Sequence, residues 1–371
     1  MSDRSAQAKI YAAWKRRLFT ADLILTAGFL ASVICSGFST WLQNETAVRV
    51  PAAWPIQVAA YSAFLWIGFE LIDFPLNWFG SFVLEHRFGL STQRLSQWLV
   101  DYAKRWSLAG GLGLLLVEVL SLLLRVVPNA WWIWAAVLWM GWEVLMARVL
   151  PTFLIPIFYK QQPLADEPLR QRLFSFVTRC GAQVHGIYEI NLSKTTRKAN
   201  ACLCGLGRTR RILVSDTLLA SYPPEEVEVV LAHEVGHHQL HHIGILLVVS
   251  TIASGASFFA VDRAARLLFE NAGISSLADL AALPLIALGL FAANLILMPV
   301  INGLSRRLEN QADRFALNKT SNPGAFIQTM RRLADQNLAE SQPPRWVEWL
   351  LYDHPPIAKR IALGEAWRSD G

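Results

Sequence analysis

Six stretches of the chain run apolar for about the length of a bilayer crossing, with polar segments alternating between them. A helix needs about 20 mostly apolar residues to span a hydrocarbon core about 30 Å thick. Residues 23–42 (LILTAGFLASVICSGFSTWL) qualify without a charge. Residues 50–84 form a longer stretch interrupted by Glu70 and Asp73, and 106–124 and 126–147 follow, parted by Arg125 and a Pro128–Asn129 turn. Residues 243–261 and 280–305 complete the set. The first stretch is too long for a secretory signal, lacks a small-residue cleavage site, and precedes five more, so it reads as an anchor.

The longest polar segment, 152–238, reads as a small folded insert. Asp166 and Pro168 open a helical pattern that Gly181 closes. YEINLSK (188–194) and RRILVSD (210–216) have the β-branched look of short strands. Ser221, Pro223 and Pro224 start a helix with Glu225 and Glu226 at its positive end, and its pattern continues through His233 into the fifth span. The expected fold is mainly α: a polytopic helical membrane protein of about six spans with a small cytoplasmic α+β insert. It divides into an N-terminal membrane domain (1–151, four spans) and a second domain (152–371) holding two more spans and a polar C-terminal segment.

Composition supports the membrane reading: 53% hydrophobic, 17% charged, and fifteen tryptophans, a residue that gathers at bilayer interfaces. The net charge of +6 does not point to nucleic acid, because lysine and arginine concentrate in alternate loops. Five lie in 1–20, four in 85–105 and ten in 159–238. That asymmetry places both termini and the insert in the cytoplasm, in a bacterial inner membrane or endoplasmic reticulum. Cys35, Cys180, Cys202 and Cys204 are too few and scattered for a disulfide framework, and the C-x-C pair lacks a partner pair to make a metal site.

The chemistry starts at LAHEVGHH (231–238). Helical residues four apart share a face, so His233 and His237 can aim two imidazoles at one ion. Glu234 is placed to accept a proton from a water that zinc would acidify from a pKa of ~15.7 to about 7. His241, eight residues from His233 on one helix, is about 12 Å along the axis and out of reach. Leu240 stands where the metzincin pattern needs glycine. His238, His241 and His242 therefore read as solvated histidines at the interface. A better third ligand follows the sixth span in RRLENQADRFA (306–316), where Glu309 and Asp313 are four apart. A His-His-Glu set with an open fourth position is a catalytic zinc site. Asp313 then bonds a ligand imidazole or holds a proton.

These motifs resemble the CAAX prenyl protease 1 family of integral-membrane zinc endopeptidases. The likeness includes EHRFGLSTQRLSQWLVDYAKR (85–105), LPTFLIPIFYKQQPL (150–164), KANACLCGLGRTRRILVSDTLL (198–219), LAHEVGHH, ENQADRFA (309–316) and DHPPIAKRI (353–361), in that order. The resemblance implies one zinc held by His233, His237 and Glu309, with Glu234 as base and Asp313 as supporting acid. It implies that Asn200 and Ala201 lie on an edge strand that pairs with an extended substrate, and that His354 and Arg360 close the site. A turn and a salt bridge would explain the last pair equally well. It further implies a peptide or protein substrate, lipid-bearing in the family's case, cut beside the bilayer inside a chamber walled by helices. Glu70, Asp73, Glu118 and Glu143, acids within apolar spans, fit a wet interior. This chain departs from well-known eukaryotic members in having six spans rather than seven, and in having Cys202 where an aromatic is common. Two alternatives are a quality-control protease of the heat-shock type and, more remotely, a transporter or receptor, which would need matching broken spans in two halves.

Overall fold

The computed structural model describes residues 2–205, 210–269 and 273–370. The 206–209 part of the KANACLCGLGRTRR motif lies outside the described residues. The chain opens with α1 (Ser2–Cys35), α2 (Phe38–Arg49) and α3 (Trp54–Trp78), and a π-helical turn at Phe79–Val83 leads into α4 (Leu84–Arg87). Then come α5 (Leu95–Val126), α6 (Trp131–Val149), a second π turn at Leu150–Leu154, and α7 (Ile155–Phe158). Proline lacks the N–H that an α-helical ladder needs, and Pro75 and Pro151 stand before and within these widened turns. The insert contributes β1 (Gln161–Pro163), α8 (Glu167–Arg179), β2 (Ile187–Ile190), β3 (Ala201–Cys204), β4 (Arg211–Ser215), α9 (Asp216–Ser221) and α10 (Pro224–Gln239). The last third holds α11 (His242–Leu268), α12 (Leu283–Thr320), α13 (Pro323–Asn337), α14 (Arg345–Leu351) and α15 (Ile357–Asp370).

Among the described residues, six helical stretches are long and apolar enough to cross a membrane: Arg4–Cys35, Trp54–Arg87, Leu95–Val126, Trp131–Phe158, His242–Leu268 and Leu280–Thr320. Their number agrees with the sequence reading, but the first has different bounds. The run 23–42 is not one helix, because Gly37 takes φ +72° and the chain turns there into α2. The helix instead extends back through the basic N-terminus to Ser2, so its 34 residues cover about 51 Å at 1.5 Å each. Three of the four intramembrane acids have polar partners: Glu70 accepts from Tyr102 (2.8 Å), Asp73 from Asn77 (2.5 Å), and Glu143 from Trp139 (2.9 Å) and Ser250.

The insert folds as the sequence suggests at α8, β2, β4 and α10. Asp166 caps α8 by accepting from Leu169 N, and Gly181 at φ +89° follows the helix end. Two further short strands, β1, which the sequence reading lacks, and β3, expected only from the family resemblance, complete a four-stranded sheet in the order β1-β2-β4-β3. β2 and β4 are parallel, and β3 runs antiparallel to β4 with Ala201 opposite Val214. β3 is therefore an edge strand. Ile187, Ile212 and Val214 bury one sheet face against Leu173, Phe176 and Val177 of α8 and Leu231 and Val235 of α10. That core fixes α10 beneath β3.

α12 brings the second half of the site. Its 38 residues span about 57 Å, nearly twice a bilayer core, so its final turns leave the apolar zone and pack on α10. A Cβ on Gly236 would stand 3.2 Å from the Ala312 Cα, so the absent side chain lets the two helices approach closely. Another correction lies just beyond. α10 does not run on into the fifth span: it ends at Gln239, and His241 takes the left-handed conformation (φ +56°) before α11 begins.

Candidate metal centre

On α10, His233 and His237 sit one turn apart with their Nε2 atoms 3.1 Å from each other. Between them, from α12, comes Glu309, its Oε2 3.2 Å from His233 Nε2 and its Oε1 3.2 Å from His237 Nε2. Glu309 is buried, and its Oε2 makes no hydrogen bond despite that approach. Ligands at about 2.05 Å from a tetrahedral metal stand roughly 3.3 Å apart, the spacing seen here. Three electron-pair donors turned toward one point and short of donors are a set that fits a divalent cation. Among the described residues these are the one His/Cys/Asp/Glu group with ligand atoms so convergent.

The outer nitrogens are also engaged. His233 Nδ1 lies 2.9 Å from Asp313 Oδ1, and Asp313, 1% exposed, is gripped by Arg360 through Nη2 (2.5 Å) and Nε (2.8 Å). Burial depresses the His233 pKa, but the carboxylate of Asp313 on its Nδ1 and that of Glu309 facing its Nε2 outweigh burial and hold it up at about 9. Burial likewise works against the charge of Arg360, and Asp313 overrides it, keeping that guanidinium above its ordinary value. A bound metal must displace the proton that His233 otherwise holds.

The remaining sequence candidates gather at the same place. A cavity of about 240 Å³ is lined by His233, Glu234, Asn200, Ala201, His354 and Arg360, among others. A larger cavity, about 740 Å³ beside Arg4, Phe88 and Arg332, holds none of these groups. Glu234 accepts a hydrogen bond from Leu203 N at 3.2 Å, tying the carboxylate to the edge strand. Ser215 N donates to Asn200 O (2.9 Å), so in the alternating antiparallel ladder Ala201 and Leu203 turn their backbone groups outward. Ala201 opens β3 and Asn200 immediately precedes it. His354 Nε2 is 3.3 Å from Glu309 Oε1, with Asp353 on its Nδ1 at 2.9 Å. Asp353 raises the His354 pKa above the usual histidine value. Arg360 lines the cavity but commits its guanidinium to Asp313.

Two histidines depart from their sequence reading, and the first is His238, half-buried with its Nε2 shut off from solvent. His242 is fully buried rather than solvated, with Nδ1 3.0 Å from His237 Nδ1 and Nε2 3.0 Å from Gln311 Oε1. The signal for it is absent from spacing, because it depends on the break at His241. His241 itself stays exposed.

Comparison with known proteins finds relatives along the whole chain, with one difference: residues 2–160 hold four helices long and apolar enough to span, among the described residues, where the matched family is described with five. Residues 163–367 match the profile of peptidase family M48, and 2–160 match the profile described as CAAX prenyl protease N-terminal, five membrane helices. The uncharacterized metalloprotease YhfN of Bacillus subtilis is 27% identical over 364 residues, covering 97% of this chain and 85% of that protein. CAAX prenyl protease 1 of Saccharomyces cerevisiae is 29% identical over 313 residues, covering 78% of this chain and 68% of the yeast protein. The crystal structure of S. mikatae Ste24p shares the fold with a TM-score of 0.88, covering 98% of this chain and 90% of that one at 23% identity. Two adjoining profiles, a membrane-helical fold and a convergent His-His-Glu donor set thus lead to one assignment: the chain belongs to peptidase family M48, as an integral-membrane metalloendopeptidase of the CAAX prenyl protease 1 type.

Proposed function

We propose that this chain is a zinc endopeptidase that cuts extended peptides carried at the cytoplasmic face of its membrane, including lipid-modified ones. The observation carrying this reading is the meeting of Glu309 with His233 and His237, beside a strand edge whose Leu203 N–H already points at Glu234. His233, His237 and Glu309 would hold the ion, whose donor set of two imidazoles and a carboxylate suits zinc. Zinc, when bound, would acidify a water and polarise the scissile carbonyl.

The protein's own groups do the rest. Ala201 offers its outward backbone groups, and Leu203 its carbonyl, for a substrate strand to pair with, the general mode of β-augmentation. Glu234, held at that edge, takes the proton from the attacking water and returns it to the leaving amine. His354, its protonated form favoured by Asp353, donates to the carbonyl oxygen as charge develops there. Asp313 and Arg360 lock the His233 ring in its ligating orientation.

Orientation and substrate form parts of the same proposal. The basic N-terminus and insert support a cytoplasmic site. The relatives named CAAX prenyl protease support a prenylated substrate. Within the protein, five of the six spans leave most of their apolar length unburied, which fits lipid on one side and an interior space on the other. Two measurements test the reading. A farnesylated C-terminal peptide should be cut faster than its unmodified twin; equal rates would favour general degradation of membrane proteins instead. In intact cells an impermeant thiol reagent should reach a variant keeping exposed Cys35 alone, and miss one keeping Cys202 alone. The reverse pattern would invert the topology.

A further inference from the structure

We propose that His242 is a positioning residue for the ligand His237, completing a relay from His237 through His242 to Gln311; the inference rests on the metal-centre reading above. The relay exists because of a backbone break. On a continuous helix, five residues advance the direction by about 140° beyond a full turn, so His242 would point away from His237. His241 at φ +56° and ψ +29° ends that helix and restarts it, returning His242 to the ring one turn back. The two rings meet edge to face with centroids 5.0 Å apart, and His242 has no solvent exposure.

Proton bookkeeping gives the relay one direction. His237 Nε2 faces His233 Nε2 and Glu309 Oε1, so as a ligand it must present a lone pair there. The His237 proton then sits on Nδ1 and needs an acceptor, and His242 Nδ1 is 3.0 Å away. His242 must in turn carry its proton on Nε2, where the Gln311 carbonyl oxygen accepts it at 3.0 Å. Reversing the relay would place a proton on His237 Nε2 and remove a ligand. Gln311 is two residues from Glu309 on α12, so this chain of bonds also ties the helix of one ligand to the helix of the other two.

The arrangement makes the two imidazoles unequal. His233 is backed by a carboxylate, Asp313, itself neutralised by Arg360. His237 is backed by a neutral imidazole. Its ring is thus oriented without a second negative charge beside the ion, which would weaken the ion's pull on a bound oxygen.

Zinc affinity of metal-free protein, measured by competition with a chromogenic chelator, tests the proposal without recourse to activity. His242→Phe keeps the ring's bulk and removes the acceptor, and should bind zinc about 10–100-fold more weakly. His242→Asn can place its Oδ1 near the lost Nδ1 and should stay within about threefold of the unaltered protein. Cobalt(II) absorption should change in the first variant and be kept in the second. Should His242→Phe not fold, Gln311→Met removes the far acceptor and should weaken zinc by about three- to tenfold. Unchanged affinity in His242→Phe or in Gln311→Met overturns the relay. Equal losses in His242→Phe and His242→Asn also overturn it, because they would mean packing alone. If the unaltered protein takes up no zinc, the metal-centre reading falls first and the relay falls with it.

Discussion

Asp313 Oδ1 stands 2.9 Å from Nδ1 of His233, and the carboxylate that approaches this imidazole is the one Arg360 holds with two bonds. A buried charge left without its partner is costly, so the three groups act together. Asp313→Asn should cost about 10–100-fold in metal affinity or activity. Arg360→Lys keeps the charge and loses the two-armed grip, and should cost less. Chelator competition and peptide cleavage measured on the same samples check both; an Asp313→Asn protein equal to the original in both would contradict this arrangement.

Metal uptake should depend on pH with a definite sign. The His233 pKa is raised to about 9, so below that pH a proton competes with the ion. Apparent affinity should rise about tenfold per pH unit from 7 to 8.5, for one displaced proton, and level off above about 9. In Asp313→Asn the plateau should begin at lower pH. Titrations across pH 6.5–9.5 measure this, and a flat profile would contradict it.

Gly236 should matter through distance alone. With the Ala312 Cα only 3.2 Å from where its Cβ would lie, a branched side chain must push α12 away and take Glu309 with it. Gly236→Val should therefore destabilise by about 1–3 kcal/mol and also lower zinc occupancy. Thermal melts and metal content check the pair of effects. Full zinc occupancy would mean that the helix contact does not position Glu309.

The substrate edge can be separated from the metal. Ala201 turns its backbone outward on β3, where an edge strand tolerates proline. Ala201→Pro should keep zinc and raise KM more than about tenfold, since it deletes a donor used only by the substrate strand. An unchanged KM would place the peptide elsewhere.

Much of this was legible in the residues for identifiable reasons. His233 and His237 follow from helical periodicity, and the six spans from runs without charge. The boundaries of the first span were less legible, because hydropathy sees the apolar run through 42 and not the turn at Gly37 or the helix of basic residues before it. β1 and β3 were hidden by length: strands of three and four residues carry too little alternation to register. The edge strand came only from family resemblance. The burial of His242 is not legible for a conformational reason, since nothing in HHQLHH announces a non-glycine residue in the left-handed region.

On the proposed mechanism two carboxylates, Glu234 and Glu309, serve one site in different ways. Zinc content and peptide turnover, measured together in Glu234→Gln and Glu309→Gln, test it most directly. Glu234→Gln should keep about one zinc per chain and lose turnover by about 10²–10⁴-fold, because it removes a proton acceptor and not a ligand. Glu309→Gln should lose zinc, because a neutral amide is a poorer ligand than a carboxylate, and should regain part of its activity in excess zinc. A Glu309→Gln protein retaining full zinc and full turnover would contradict the account.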